Sequence, residues 1–240
     1  TIEKSITLEG TSASNLARIN AKAIEIKGLD LNLTFRNIEY GGYTVDGETG
    51  VPTETVSITS QSYFIDINAA GTVKNLTVEN CFVHGIYNGA IRANRAADAL
   101  YGDVVIRNNR FYNLGGNNGG LVACNPNGTK GGTWTIQNNT VHGIGQGFYE
   151  TTAEKKSIIF PKAAAGLTAT ISNNTFSGIS SGANNYFIDS GDGSSAAGTF
   201  VIEKNIVAFT AASRGPRLGL GTVTLKDNAV YPAVWTNIAK

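Results

Sequence analysis

Ile106-Arg107-Asn108-Asn109-Arg110-Phe111 is the segment that decides the fold, because its pattern recurs along the whole chain. The six positions of each copy are, in order, apolar, polar, turn-forming, a fourth position described below, variable and apolar. The copies begin at Phe35, Val78, Ile106, Ile136, Ile171, Ile202 and Leu225. Self-similarity of this kind is the signature of a repeat architecture. The intervals between copies range from 23 to 43 residues, which favours stacked coils whose loops differ in length.

The fourth position of the pattern, here called the slot, is predicted to point inward. It holds Ile38, Cys81, Asn109, Asn139, Asn174, Asn205 and Asn228. Ile and Cys prefer burial, whereas a buried Asn is costly unless its amide is hydrogen-bonded. Parallel stacking at about 4.8 Å lets each Asn bond the Asn of the next coil. The slot therefore predicts an asparagine ladder inside an all-β, right-handed parallel β-helix of seven or eight coils, with the handedness of ordinary crossovers.

A second strand recurs in each coil, as in Ile65-Asp66-Ile67-Asn68 and Ile91-Arg92-Ala93-Asn94. Alternation along a strand predicts one outward column from these segments. Its expected members are Glu25, Asp66, Arg92, Ala123, Pro161, Asp189 and Gly219. The recurring Asn predicts a second, shorter ladder of Asn68, Asn94 and Asn125.

Composition agrees with this class of fold. The chain has 240 residues, 29 of them Gly, and only 15% charged residues, which is typical of an all-β chain with many tight turns. No linker divides it, so residues 1–240 are predicted to form one domain, expected to be a monomer. A net charge of +1 gives no field that favours nucleic acid, and no apolar run predicts a transmembrane segment. Cys81 and Cys124 are predicted to be buried free thiols.

Outward positions on three successive coils predict an exposed strip of Phe82, His84, Arg110, Tyr112 and His142. Aromatic rings suit the apolar faces of sugars, and His and Arg can bond hydroxyls or carboxylates. The strip is therefore our candidate carbohydrate-binding surface. The alternative, to which we give more weight, is that these side chains only stabilise the sheet through cross-strand pairs.

Acidic residues offer weaker candidates for a metal site. Asp66 and Arg92 fall in adjacent coils and are predicted either to bind calcium or a uronate carboxylate, or to form an ion pair of little energetic weight. Asp189 and Asp192 lie in a short Gly-rich turn that is only loosely similar to a calcium loop. Glu79 and Arg107 are predicted to form a purely structural pair.

Asn173-Asn174-Thr175-Phe176 and Glu79-Asn80-Cys81 resemble the repeats of secreted pectate-lyase-like β-helix proteins. Ser5-Ile6-Thr7-Leu8-Glu9-Gly10 is similar to their first coil. The resemblance covers nearly the whole chain and is nearest to uncharacterised β-helix proteins of Bacteroidetes polysaccharide-utilisation systems, more distantly to alginate and chondroitin lyases. It implies a secreted or cell-surface protein with polysaccharide as its partner.

The lyases of this resemblance use a Lys base with a nearby Arg, often with calcium as cofactor. Arg92 and Lys162 are the weak catalytic matches here, and His142 is an alternative base. The paired Asp and Gly-His-Gly motif of pectin hydrolases are absent. Three functions stay open at this point: a polysaccharide-binding or accessory module, which we favour, a lyase acting on a uronic-acid-containing glycan, and a structural or adhesive segment of a larger surface protein.

Overall fold

The chain is all-β in the part that the structure describes. A computed structural model covers residues 1–19, 21–41, 63–115, 120–124, 130–144, 157–161, 166–179, 186–189, 198–209, 215–219 and 221–232. These residues contain strands and turns but no helix. The described part therefore also lacks a helix long and apolar enough to cross a membrane.

The strands, numbered in chain order, form three parallel sheets. Sheet 1 contains β1 (Ile6–Glu9), β4 (Leu31–Arg36), β7 (Val73–Glu79), β10 (Val104–Arg107), β13 (Gly132–Gln137), β16 (Leu167–Ser172), β19 (Thr199–Glu203) and β21 (Thr222–Lys226). Sheet 2 contains β2 (Ala17–Ile19), β5 (Ile38–Gly41), β8 (Phe82–Ile86), β11 (Arg110–Leu114), β14 (Thr140–Ile144), β17 (Thr175–Ile179), β20 (Ile206–Phe209) and β22 (Ala229–Tyr231). Sheet 3 contains β3 (Ile24–Ile26), β6 (Tyr63–Ile67), β9 (Gly89–Arg92), β12 (Val122–Ala123), β15 (Ile158–Ile159) and β18 (Ile188–Asp189).

Neighbouring strands within each sheet follow one another in chain order, with one strand of each other sheet between them in sequence. The exceptions are the pairs β19–β21 and β20–β22, between which the described part of the chain has no strand of sheet 3. The chain thus visits the three sheets in turn and stacks each new strand on the previous one. This solenoid-like stacking confirms the all-β class and the parallel stacking of strands predicted from the repeat. Inward side chains from all three sheets form one continuous apolar core.

The asparagine ladder is present and fully buried over four of its rungs. The side-chain nitrogen of Asn139 donates to Oδ1 of Asn174 at 2.9 Å, and that of Asn174 donates to Oδ1 of Asn205 at 2.9 Å. Each nitrogen also donates to a backbone carbonyl of the preceding coil, as Asn174 does to Ile136 at 2.9 Å. The ladder comprises Asn109, Asn139, Asn174, Asn205 and Asn228. Both hydrogens and the oxygen of each central carboxamide are therefore used.

The residue before each slot turns the chain out of sheet 1 into sheet 2. All seven of these residues have a φ between 54° and 58°, in the left-handed region that Asn and Asp tolerate better than most residues. They are Asn37, Asn80, Asn108, Asn138, Asn173, Lys204 and Asp227. The turn-forming position read from the sequence is thus confirmed, and Lys204 is its least expected occupant.

Large aromatic side chains fill the interior between the sheets. Phe64 packs edge-on against Phe35 with ring centroids 5.4 Å apart, and Phe160 packs against Trp134 at 5.2 Å. All four rings are almost completely buried. Aromatic pairs in these geometries add to the energy of their burial.

The two cysteines are buried free thiols, as predicted. Burial raises the pKa of Cys81 to about 11 and that of Cys124 to about 12. The thiolate is the reactive form, so these groups are inert packing residues.

The outward column of sheet 3 is confirmed in its first half and wrong in its second. Asp66 pairs with Arg92, and Arg92 with Ala123, as expected. Ala123 then pairs with Ile159 instead of Pro161, and Asp189 pairs with Arg217 instead of Gly219. Both errors are shifts of two residues. A shift of two keeps each side chain on the same face of the sheet, so the alternation of inward and outward residues cannot detect it.

The predicted second ladder stays without support. The side-chain nitrogen of Asn68 donates to Oε1 of Glu25 at 2.8 Å instead of to another Asn. Asn125 lies outside the described residues.

Replacing Asn174 by Ala should cost at least about 3 kcal/mol of unfolding free energy, because buried groups left without a partner cost about 1–3 kcal/mol each. The variant strands the two donors of Asn139 and the carbonyl of Ile136. Denaturant unfolding measures the loss. Asn173→Gly is the control, since the neighbouring residue is exposed and Gly adopts its positive φ readily. Equal losses from the two variants would contradict a ladder that stabilises the core.

Candidate functional site: an aromatic strip and a charged cleft

The predicted strip lies on one face of sheet 2, on three adjacent strands. Tyr112 on β11 pairs with His84 on β8 and with His142 on β14, and Arg110 pairs with Phe82. The register read from the repeat thus brings all five side chains together.

The prediction that the whole strip is exposed was wrong. Phe82 is 5% exposed and His84 is completely buried. The residue paired with His84 on β5 is Gly41, and a Cβ on that glycine would lie within 2.5 Å of the imidazole. The histidine ring therefore occupies the space that a side chain at position 41 would fill. The absence of a side chain at position 41 on the neighbouring strand, which a single repeat does not reveal, gives the ring room to lie against the sheet.

The buried pair supports an accessible part of the strip. The rings of Phe82 and His84 stack with centroids 4.5 Å apart, and the guanidinium of Arg110 lies 4.4 Å above the ring of Phe82. Tyr112 packs edge-on against Phe82 at 5.5 Å and against His142 at 6.1 Å. Arg110 and His142 are exposed and Tyr112 is half-buried. One aromatic face flanked by two exposed polar groups is thus presented in fixed positions.

Glu39 is the hydrogen-bonding partner of the buried histidine. Nε2 of His84 lies 3.2 Å from Oε1 of Glu39. Burial lowers the pKa of His84, and the hydrogen bond to Glu39 opposes this shift without reversing it. The imidazole is consequently neutral near neutral pH.

On sheet 3, Asp66 and Arg92 form a clamped pair rather than a loose surface contact. Nε of Arg92 donates to Oδ1 of Asp66 at 2.7 Å, and Nη2 bonds Oδ2. The guanidinium also stacks on the ring of Tyr63 at 4.1 Å. Two parallel hydrogen bonds and a stacked ring fix an Arg more firmly than an exposed ion pair does.

The same arrangement occurs a second time near the other end of sheet 3. Arg217 donates to both oxygens of Asp189, at 2.7 and 2.8 Å, and stacks on the ring of Tyr186 at 4.4 Å. A sequence signal for both clusters exists: Tyr63-Phe64-Ile65-Asp66 is repeated as Tyr186-Phe187-Ile188-Asp189. An Arg follows each Asp by 26 and 28 residues respectively. Our sequence analysis missed this repeated tetrapeptide.

The described candidates do not fit a calcium ion. Both oxygens of Asp66 and both of Asp189 accept hydrogen bonds from a guanidinium, so neither carboxylate is available as a simple ligand. Within the described ranges, no group of three or more His, Cys, Asp or Glu is gathered that could hold a metal. Asp192 lies outside the described residues.

The weak catalytic candidates are not brought together where they can be located. Arg92 lies on sheet 3 and His142 on sheet 2, with its Nδ1 2.9 Å from Oγ of Ser177. Lys162 lies outside the described residues. A lyase role for these residues stays an untested prediction.

A cleft of about 460 Å³ opens beside the Arg92 clamp. It is lined by Lys22, Ala23, Glu25, Tyr63, Asp66, Asn88, Arg92 and Arg95. The sequence analysis missed Lys22 and Arg95, because both lie just outside the strands that the repeat defines. Asn88 belongs to the two-residue connection between β8 and β9, so the coil that carries Phe82 and His84 on sheet 2 also contributes to the cleft.

Comparisons with protein-family models, with curated proteins and with solved structures gave no significant match.

The buried His84 should make stability depend on pH. An unfolded histidine takes up a proton near its ordinary pKa of about 6.5, whereas folded His84 resists protonation because burial lowers its pKa. Acidification from pH 7 to 5 therefore stabilises the unfolded chain, and the free energy of unfolding falls.

His84→Gln should remove this part of the loss, which is at most about 1.4 kcal/mol per unit of pKa difference. Denaturant unfolding of both proteins across the pH range measures it. Thr140→Ala changes an exposed side chain of the same sheet and no ionisable group, so it should keep the wild-type slope. A wild-type slope in His84→Gln would show that the histidine is not the source.

Proposed function

We propose that this chain is a secreted or cell-surface right-handed parallel β-helix of the pectate-lyase-like kind, with seven or eight coils, and that it binds polysaccharide as a non-catalytic module. The handedness follows the general preference of parallel crossovers. The three stacked parallel sheets support the fold part of the proposal.

The observation that carries the function is the grouping of Arg110 and Tyr112 on β11 with His142, the residue paired with Tyr112 on β14. A sugar ring offers an apolar face to an aromatic side chain and hydroxyls to the groups beside it. Here the ring of Tyr112 has an exposed imidazole beside it on the next strand and an exposed Arg two residues earlier on its own strand.

Packing beneath the strip supports binding further. Arg110 rests on the ring of Phe82, and Tyr112 contacts both Phe82 and His142 through ring edges. Side chains held in this way lose little conformational freedom when a ligand arrives, which improves affinity. The stacking of strands at about 4.8 Å also sets His142 beside Tyr112, with Arg110 two residues away along β11, so the three groups form one patch that a polymer can cover.

Affinity electrophoresis against a panel of neutral and acidic polysaccharides tests the proposal. We expect at least one polymer to retard the protein and Tyr112→Ala to reduce that retardation about tenfold, as loss of a central aromatic contact does. His142→Ala should have a smaller effect in the same direction.

Tyr231→Ala is the matched control. Tyr231 is an exposed tyrosine of sheet 2, but β14, β17 and β20 separate its strand from that of Tyr112. The control should bind like the wild type. Absence of retardation by every polymer, or equal loss in the two tyrosine variants, would refute the strip as the binding surface.

A further inference from the structure

The cleft at the Arg92 clamp carries an excess of positive charge. Its lining contains three cations, Lys22, Arg92 and Arg95, and two carboxylates, Glu25 and Asp66. The protein as a whole has a net charge of only +1. Any attraction for an anion is therefore a local property of this cleft and not of the general surface.

Glu25 does little to neutralise the cleft, because it has partners of its own. Lys27 lies 3.1 Å from its Oε2, and Asn68 donates to its Oε1 at 2.8 Å. These hydrogen bonds, with that to Lys27 contributing most, lower the pKa of Glu25. Since the charge of Lys27 offsets that of Glu25, only Asp66 is left to neutralise the cations that line the cleft.

The single negative charge of Asp66 faces two guanidinium groups, those of Arg92 and Arg95. Arg92 holds both of its oxygens, and Arg95 approaches Oδ2 only to 3.7 Å. Arg95 is 39% exposed, so it keeps hydrogen-bond donors toward the solvent. Within the described part of the chain, Lys22 has no carboxylate within ion-pair distance, and it is exposed.

The immobile Arg92 gives the cleft a defined floor. Its side chain is only 16% exposed, being held by Asp66 on one side and by the ring of Tyr63 on the other. Arg95 and Lys22 supply exposed cations around this floor, and Asn88 adds a neutral carboxamide. Planar guanidinium groups match carboxylate and sulfate oxygens with paired hydrogen bonds.

The connection between β8 and β9 links the strip-bearing sheet 2 to the cleft. It consists of Tyr87, which is 48% exposed, and Asn88, which lines the cleft. The path from the outer face of sheet 2 to the cleft therefore runs over this connection.

We propose that the cleft binds an anionic substituent of the polysaccharide, a carboxylate or a sulfate ester, through Lys22, Arg92 and Arg95. The protein thereby selects acidic over neutral glycans. This inference rests on the proposed function, because it names the class of polymer that the same surface takes.

Pairs of polymers that differ only in charge test the selection. Polygalacturonate is compared with its methyl ester, and dextran sulfate with dextran, by affinity electrophoresis at low and high salt. We expect the charged member of at least one pair to bind, its uncharged partner to bind at least about tenfold more weakly, and salt to weaken the binding. The responding pair identifies carboxylate or sulfate as the preferred group.

The variant Lys22→Gln/Arg95→Gln should lower affinity for the charged polymer at least about tenfold, as loss of charge-assisted hydrogen bonds does. Lys74→Gln and Arg107→Gln combined are the matched control, since both residues are exposed on sheet 1 and neither lines the cleft. The control should bind like the wild type.

The outcomes separate the two proposals. Equal binding of charged and uncharged polymers, or an unaffected cleft variant, overturns the inference and leaves polysaccharide binding standing. If no polymer binds, the proposed function fails. A nuclear magnetic resonance titration with methyl galacturonoside and with inorganic sulfate then decides whether amide shifts of Arg92 and Arg95 report an anion site, or whether the cleft proposal fails as well.

Discussion

Five carboxamides stacked one above another, four of them buried, are the constraint on which the rest of this molecule depends. A carboxamide taken out of water must satisfy two donors and an acceptor. Asn139 and Asn174 do so only because the next coil brings another Asn into the same position and the previous coil offers a carbonyl. A coil shifted by one residue would lose these bonds and turn its apolar residues outward. The ladder therefore fixes the register of sheets 1 and 2.

Register in turn creates the surface. Once the strands stack in register, equivalent outward positions of successive coils line up in a column. Side chains far apart in sequence then become neighbours. Arg110 and Phe82, or Tyr112 and His142, meet for this reason alone. The residue before each slot, which has a positive φ, contributes to the same result, since it turns the chain at an equivalent point in each coil.

The sequence predicted what the repeat itself encodes. The slot, the turn-forming residue and the pairing of Tyr112 with its two histidines could all be read because each follows a fixed spacing. The burial of His84 could not be read in this way, since the ring fills the space that Gly41, which has no side chain, leaves in the neighbouring coil. Lys22 and Arg95 escaped notice because they flank strands without belonging to the pattern. In sheet 3 the strands are short, down to the two residues of β12, so alternation could not exclude a shift of two.

The stacking of the slot asparagines on one another is the central structural claim. Nuclear magnetic resonance can observe this directly through contacts between the side-chain amide protons of Asn139, Asn174 and Asn205, together with their exchange with solvent. The account predicts contacts between each consecutive pair and exchange slowed far below that of the exposed Asn173. Rapid exchange of all these amides, without contacts between them, would contradict it.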